Sequence, residues 1–279
     1  MKQLLIFFKI IRIQNTLMAG TAVILGYWLS RSDLSLTSLL LLFTSALAST
    51  GFGNIINDIR DIRSDEISHP DRPLPRREIT VGTAWIYCAI LIIAGIVCSF
   101  SISKTHGFAT LLPLIILAIY SYFLKGTPLV GNLVVATLVA YSILYGALQA
   151  SGFTTLIIPA ILAFLLNFSR EIIKDIQDEA GDRAAAVVTS ASLSDVLLRN
   201  LIYLCTAIYL CLLFLPYIRG DFGKTYMVLS ITLIVPLHLY RTRLIMSSKW
   251  KNRLSRISIL YKIEMICGLL ALAVDRLTG

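Results

Sequence analysis

Residues 82–102 read GTAWIYCAILIIAGIVCSFSI, twenty-one positions without one charged side chain. At a rise of about 1.5 Å per residue, a helix of that length reaches across the hydrocarbon core of a bilayer. Eight further apolar runs flank it, at 14–31, 37–57, 107–124, 128–149, 154–174, 196–217, 225–246 and 257–275, joined by short polar connections. The 279-residue chain is 57% hydrophobic and 15% charged, and its mean hydropathy is +0.79, outside the range of soluble globular domains. The sequence therefore predicts an all-α, polytopic membrane protein with nine spans and no soluble domain between them.

The net charge of +9 raises the question of a nucleic-acid partner. Its distribution answers it. With the N-terminus inside, 20 of the 25 lysines and arginines fall on the cytoplasmic side of a nine-span chain, which is the bias that sets membrane topology. The basicity belongs to topology and anionic headgroups, and no basic aromatic module for nucleic acid is present. In the opening MKQLLIFFKIIRIQNTL, Lys9 and Arg12 interrupt any signal-peptide core, so this segment is expected to lie in the interface as an amphipathic helix. Cys88, Cys98, Cys205, Cys211 and Cys267 all lie in apolar spans and are expected to pack there without disulfides. Pro113, Pro159 and Pro236 sit inside spans and predict bends.

Most of the acid lies in two segments, just beyond the second and sixth runs. The first reads NDIRDIRSD from Asn57 to Asp65 and continues as HPDRPLP; the second reads REIIKDIQDEAGD from Arg170 to Asp182. Asp58, Asp61 and Asp65 recur as Asp175, Asp178 and Asp182, each 117 positions later. Spacings of three and seven put three carboxylates on one face of a helix, where they repel one another unless a cation intervenes. Hard oxygen ligands of this kind suit Mg²⁺, which is shared between one or two carboxylates and substrate phosphates. Both motifs follow even-numbered runs and so emerge on the same side, as an internal repeat requires. Two bridging Mg²⁺ ions would let a diphosphate approach six carboxylates, with Arg72, Lys125, Arg170 and Lys174 holding the remaining phosphate oxygens. An EF-hand is excluded, since neither Asp58 nor Asp61 is followed by glycine at the sixth loop position and glutamate at the twelfth. A transporter would carry its ionisable groups nearer the bilayer midplane.

The pairing of NDxxDxxxD and HPDRPLP with a second aspartate motif resembles the UbiA superfamily of intramembrane prenyltransferases over essentially the whole chain. RIQN, from Arg12 to Asn15, is similar to the family's basic residue and asparagine on its first helix, and REIIKDIQDEAGD is most like the archaeal branch that makes ether lipids. The resemblance implies one domain over 1–279, a bundle of nine transmembrane helices around a central cavity open to the cytoplasm. It also implies Mg²⁺-dependent transfer of a geranylgeranyl group from its diphosphate to the hydroxyl of geranylgeranylglyceryl phosphate. An aromatic acceptor, as in quinone or tetrapyrrole synthesis, is the alternative chemistry. The implied site joins the six aspartates as metal ligands to Asn57, Arg72, Lys125, Arg170 and Lys174 for the diphosphate, with Arg12, Asn15, Tyr120 and Tyr122 as further substrate contacts. Three departures bear on the acceptor side: Arg76 and Arg77 follow RPLP where relatives carry a small residue and glycine, a Thr-Leu-Pro stretch is missing from AAAVVTSAS at 184–192, and Ser121 stands where a tyrosine four before Lys125 is usual. His69, before Pro70, reads as a turn residue in preference to a general base.

Overall fold

In the computed structural model, which describes residues 2–31 and 33–279, every regular element is a helix. In chain order these are α1 (Lys2–Ile10), α2 (Ile13–Ser30), α3 (Leu36–Arg60), α4 (Ile62–Ser68), α5 (Val81–Ile102), α6 (Lys104–Leu124), α7 (Val130–Gly146), α8 (Ile157–Ala184), α9 (Asp195–Ile218), α10 (Lys224–Met246) and α11 (Trp250–Thr278). Met1, the first residue of the opening segment, lies outside the described residues. The charge-free run at 82–102 is α5. Its Ala84, Cys88, Gly95 and Ser99 are buried, whereas Ile86, Ile90, Ile93 and Val97 form an opposite stripe between 56% and 62% exposed. Four branched aliphatic side chains at helical spacing on an outer surface are suited to lipid and not to water.

Seven helices are long and apolar enough to cross a membrane: α3, α5, α6, the helix ending at Ala184, α9, α10 and α11. The other two expected spans are α2, with 18 residues, and α7, with 17, and neither is among the seven. α7 is apolar but short, and α2 opens on the polar Gln14, Asn15 and Thr16. α2 packs between α3 and α7, and α7 between α2 and α8. They cross backbone to backbone: a Cβ on Gly26 would fall on the Ile143 carbonyl oxygen, and one on Gly146 would fall on that of Val23. Small residues that admit such an approach are what drives helix association where lipid is the solvent.

One apolar core joins α1, α3, α5 and α6 through Ile10, Phe52, Ile55, Cys88 and Leu114. A larger one joins α7 to α11 through Ile143, Ile172, Ile202, Tyr226 and Ile257. α10 and α11 are also tied by a buried charged cluster, in which the Glu264 carboxylate lies 2.5 Å from His238 Nδ1 and accepts from Arg241 Nε at 2.9 Å. The prolines behave differently from one another. Pro113 lies inside α6; Pro159 is the third residue of α8, in the first turn, where no donor is lost; Pro236 follows a π-helical turn at Ser230–Ile234. All five cysteines are free, but Cys211 is exposed on the outer surface and not packed inside.

The first acid motif departs from a single stripe. α3 ends at Arg60, Asp61 adopts φ −93° and ψ 5°, and α4 restarts at Ile62, so the three aspartates straddle a bend. Hydrogen bonds from Asp61 N to Asn57 O (2.9 Å) and Asp65 N to Asp61 O (2.7 Å) carry the chain through it. The second motif stays within α8, which continues to Ala184.

Candidate active site

The bend at Asp61 turns α4 along α8, and Gly181 leaves it room. A Cβ at Gly181 would stand 2.5 Å from the Ser64 carbonyl oxygen and closer still to Ser68 Oγ. Across this contact Ser64 Oγ donates to Asp182 Oδ1 at 2.8 Å, and His69 Nε2 lies 3.0 Å from Asp178 Oδ1. His69 ends α4 and opens the expected turn, in which Arg72 N donates to its carbonyl oxygen at 3.0 Å, while its ring holds the second motif against the first.

The acids of the first motif are buried, and each has a cation. Arg12 pairs with Asp58 and Lys125 with Asp61, while Arg72 Nη1 donates to both Asp65 oxygens at 2.5 Å and lies 3.5 Å from Asp58 Oδ1. Each partner reaches its acid through a local distortion or loop. Arg12 occupies the left-handed region at φ 52°, where α1 gives way to α2. Lys125 follows a π-helical turn at Tyr120–Leu124 closed by Lys125 N donating to Tyr120 O at 2.9 Å, a wider turn that changes the direction in which the chain leaves α6. Burial works against the Arg12 charge, yet Asp58, with Asp65 and Asp61 behind it, holds the guanidinium pKa above its ordinary value. Burial pushes the Asp65 carboxyl up, against the pull of Arg72.

Not every expected residue joins this group. Asp175 Oδ2 accepts from Asn132 Nδ2 at 3.0 Å, Ser190 N at 3.2 Å and Ser190 Oγ at 2.6 Å, so it anchors the segment after α8. Arg170 and Lys174 meet neither motif's aspartates; they flank Glu171, donating to its two oxygens at 3.0 and 2.8 Å. Ser121 is buried, Tyr120 lines the cavity, and Tyr122 is exposed with the Arg60 guanidinium 4.7 Å over its ring, so only one of the two tyrosines faces the interior.

Beside the acids opens a cavity of about 300 Å³. Arg12, Asn15, Asn54, Asn57, Arg170 and Lys174 line it at the end where α3 and α8 carry their acids, and Leu117, Leu138, Leu166, Leu213 and Leu272 are among its apolar wall. Among the described residues no three His, Cys, Asp or Glu side chains converge to hold a metal. The donors that do assemble are all hard oxygens, and Asn57 Oδ1 is buried there without a donor, an acceptor that a hydrated divalent cation satisfies. The residues thus fit Mg²⁺, and Arg12, Arg72 and Lys125 pair with the acids of the first motif.

Residues 19–263 match the UbiA prenyltransferase family. The chain belongs to this family. It is a membrane prenyltransferase, and its resemblance to relatives extends from end to end. It is 31% identical over 275 residues to a digeranylgeranylglyceryl phosphate synthase of Methanosphaera stadtmanae, covering 97% of this chain and 99% of that one. A solved structure of a digeranylgeranylglyceryl phosphate synthase superimposes with a TM-score of 0.80 at 28% identity over the whole of both chains. A UbiA homologue from Archaeoglobus fulgidus, solved with GPP and Mg²⁺, shares the fold at a TM-score of 0.72 and 18% identity, covering 96% of this chain and 99% of that one.

Several residues around this cavity have no distinguishing sequence pattern. Glu171 falls outside the repeated spacing of the aspartates, so the repeat does not mark it. Asn54 donates to Ile11 O at 2.8 Å and holds the α1–α2 junction against α3. Lys262 stands among the basic residues that set topology, yet its side chain lines the cavity and donates to Asn15 Oδ1 at 3.4 Å. An asparagine in an apolar span is a visible signal; a lysine near a span end is not.

Proposed function

We propose that this UbiA enzyme transfers a geranylgeranyl group from geranylgeranyl diphosphate to the hydroxyl of geranylgeranylglyceryl phosphate, forming an ether bond. The observation that carries the reading is the junction of a buried acid-and-cation cluster with an apolar cavity, in a chain alignable end to end with a synthase of that lipid. Two Mg²⁺ ions, held between Asp58, Asp61 and Asp65 on one side and Asp178 and Asp182 on the other, would supply charge neutralisation to the leaving diphosphate. Asp175 orients the segment behind the second motif. Arg72, Lys125 and Arg12 are free to turn from the carboxylates to the phosphate oxygens, and Asn57 offers its unpaired carbonyl oxygen. These groups lie where negative charge develops as the allylic C1–O bond breaks with its electron pair going to diphosphate. Leucine walls hold the prenyl chain and keep water from the allylic carbon. The acceptor oxygen bonds to C1, and its proton is carried off by the departing diphosphate.

The topology follows the same reading. α2 and α7 complete nine spans, the N-terminus and the acid end face the cytoplasm, and the cavity opens there, in agreement with the lysine and arginine bias. The whole chain acts as one domain in the cell membrane. The test uses membranes containing the protein, labelled geranylgeranyl diphosphate and Mg²⁺, with geranylgeranylglyceryl phosphate or an aromatic acceptor. A labelled diether phosphate that forms only with Mg²⁺ is expected. Product with the aromatic acceptor alone would refute the assignment.

A further inference from the structure

The cations at the polar end of the cavity fall into two sets. Arg12, Arg72 and Lys125 are matched one for one by Asp58, Asp65 and Asp61. Arg170, Lys174 and Lys262 are not. Arg170 and Lys174 share one carboxylate, that of Glu171, and Lys262 reaches only the neutral Asn15 at 3.4 Å. Arg170 Nε is buried without an acceptor. Arg12 Nε and Arg241 Nη1 are likewise buried without an acceptor, but each of those guanidiniums has a carboxylate that no second lysine or arginine approaches closer than 3.5 Å, Asp58 and Glu264. Three cations against one acid, on the wall of a cavity lined largely by hydrocarbon, leave an excess of positive charge that an anionic ligand would complete.

Glu171 also fixes where that excess points. Its Oε1 holds Arg170 and its Oε2 holds Lys174, so both stay beside the cavity without bonding the aspartates, while Lys262 enters from α11. The product named for the relatives is a glyceryl phosphate, so on the reading above the acceptor bears a phosphate on the same three-carbon unit as its reacting hydroxyl. That hydroxyl must come within about 3.5 Å of the donor C1, which brings a second phosphate close to the diphosphate. Two anions side by side need separate cations.

We infer that Arg170, Lys174 and Lys262 form a site for the phosphate monoester of the lipid acceptor, spread and aimed by Glu171 and distinct from the cations that serve the diphosphate. The inference rests on the acceptor being a phosphorylated lipid. It moves Arg170 and Lys174 from the donor to the acceptor and makes Lys262, on the last helix, a determinant of specificity.

The test is steady-state transfer by the purified full-length protein with Mg²⁺, comparing wild type, Lys262→Met and Lys262→Arg. Substrates are geranylgeranyl diphosphate with geranylgeranylglyceryl phosphate or its phosphate-free counterpart. Lys262→Met is expected to raise the KM for the phosphorylated acceptor about tenfold or more and leave the KM for the donor within about twofold. The advantage of the phosphorylated over the phosphate-free acceptor should shrink by the same factor, and Lys262→Arg should restore most of it. A rise in donor KM with acceptor KM unchanged would assign these cations to the diphosphate, and an equal loss with both acceptors would make Lys262 merely structural; either result overturns the inference. Independently of any variant, glycerol phosphate should inhibit wild type competitively against the acceptor and not against the donor, and the reverse pattern would also overturn it. A wild-type enzyme that uses the phosphate-free acceptor as well as the phosphorylated one sinks the phosphate site and spares the prenyl-transfer reading. One that uses neither sinks both.

Discussion

Gly181→Ala sets two effects of opposite sign against each other. Gly181 lies inside α8, and replacing an interior helical glycine by alanine normally stabilises a helix by about 1 kcal/mol. Here the added methyl would stand 2.5 Å from the Ser64 carbonyl oxygen, well inside the 3.4 Å at which ordinary contact begins, so α4 must retreat by nearly an ångström. Overpacking of that kind costs about 1–3 kcal/mol and outweighs the gain in propensity. The retreat also parts the first acid motif from Asp178 and Asp182. A displacement of about 1 Å at a reacting centre lowers turnover by roughly 10²-fold. The variant should therefore melt at a lower temperature in detergent, require more Mg²⁺ for half-maximal rate, and show kcat/KM for the prenyl diphosphate reduced by about one to two orders of magnitude. The assay is labelled transfer titrated with Mg²⁺, alongside a thermal unfolding curve. A Gly181→Ala protein that melts higher than wild type and transfers at the wild-type rate would show that the approach of α4 to α8 does not build the site.

Three further outcomes follow from contacts at and around the cavity. Lys125→Met, which leaves the buried Asp61 without its cation, should reduce kcat/KM for the donor by about 10²-fold in the transfer assay, and an unchanged value would remove Lys125 from the diphosphate site. Tyr120→Phe should lower transfer whereas Tyr122→Phe, at an exposed ring beneath Arg60, should stay within about twofold of wild type; equal effects would contradict the placement of the two rings. Glu264→Gln strands the buried Arg241 guanidinium and should destabilise the bundle by about 3–5 kcal/mol in denaturant unfolding, so wild-type stability would refute the ion pair as a tie between α10 and α11.

The parts of this protein written as periodic hydrophobicity are readable in advance. The run at 82–102 is a helix with a lipid-facing stripe, and the acid motifs meet across α4 and α8. What periodicity cannot carry is interior geometry. The bend at Asp61 depends on a single ψ value, and the turn that directs Lys125 depends on a hydrogen bond five residues long, neither of which has a local sequence code as distinct as a proline. Span count is least secure for α2, which opens on the polar Gln14, Asn15 and Thr16, and for α7, which is apolar but short. Equal spacing makes Asp175 the counterpart of Asp58, but it does not reveal their different partners: Asn132 and Ser190 converge on Asp175 from other segments. Lys262 illustrates the reverse case, a residue whose position near a span end concealed a side chain directed inward.

The crossing of α2 and α7 has the form of a two-fold axis. Gly26 meets the carbonyl three residues before Gly146, and Gly146 meets the carbonyl three residues before Gly26, so the contact is isologous within one chain. The glycines are 120 positions apart, within one helical turn of the 117 that separate the acid motifs. A two-fold contact of this kind is what an internal repeat of helical units requires, and the same operation carries one acid motif onto the other. Within that symmetry the halves differ at the first aspartate of each motif: Asp58 pairs with Arg12, whereas Asn132 and Ser190 hold Asp175.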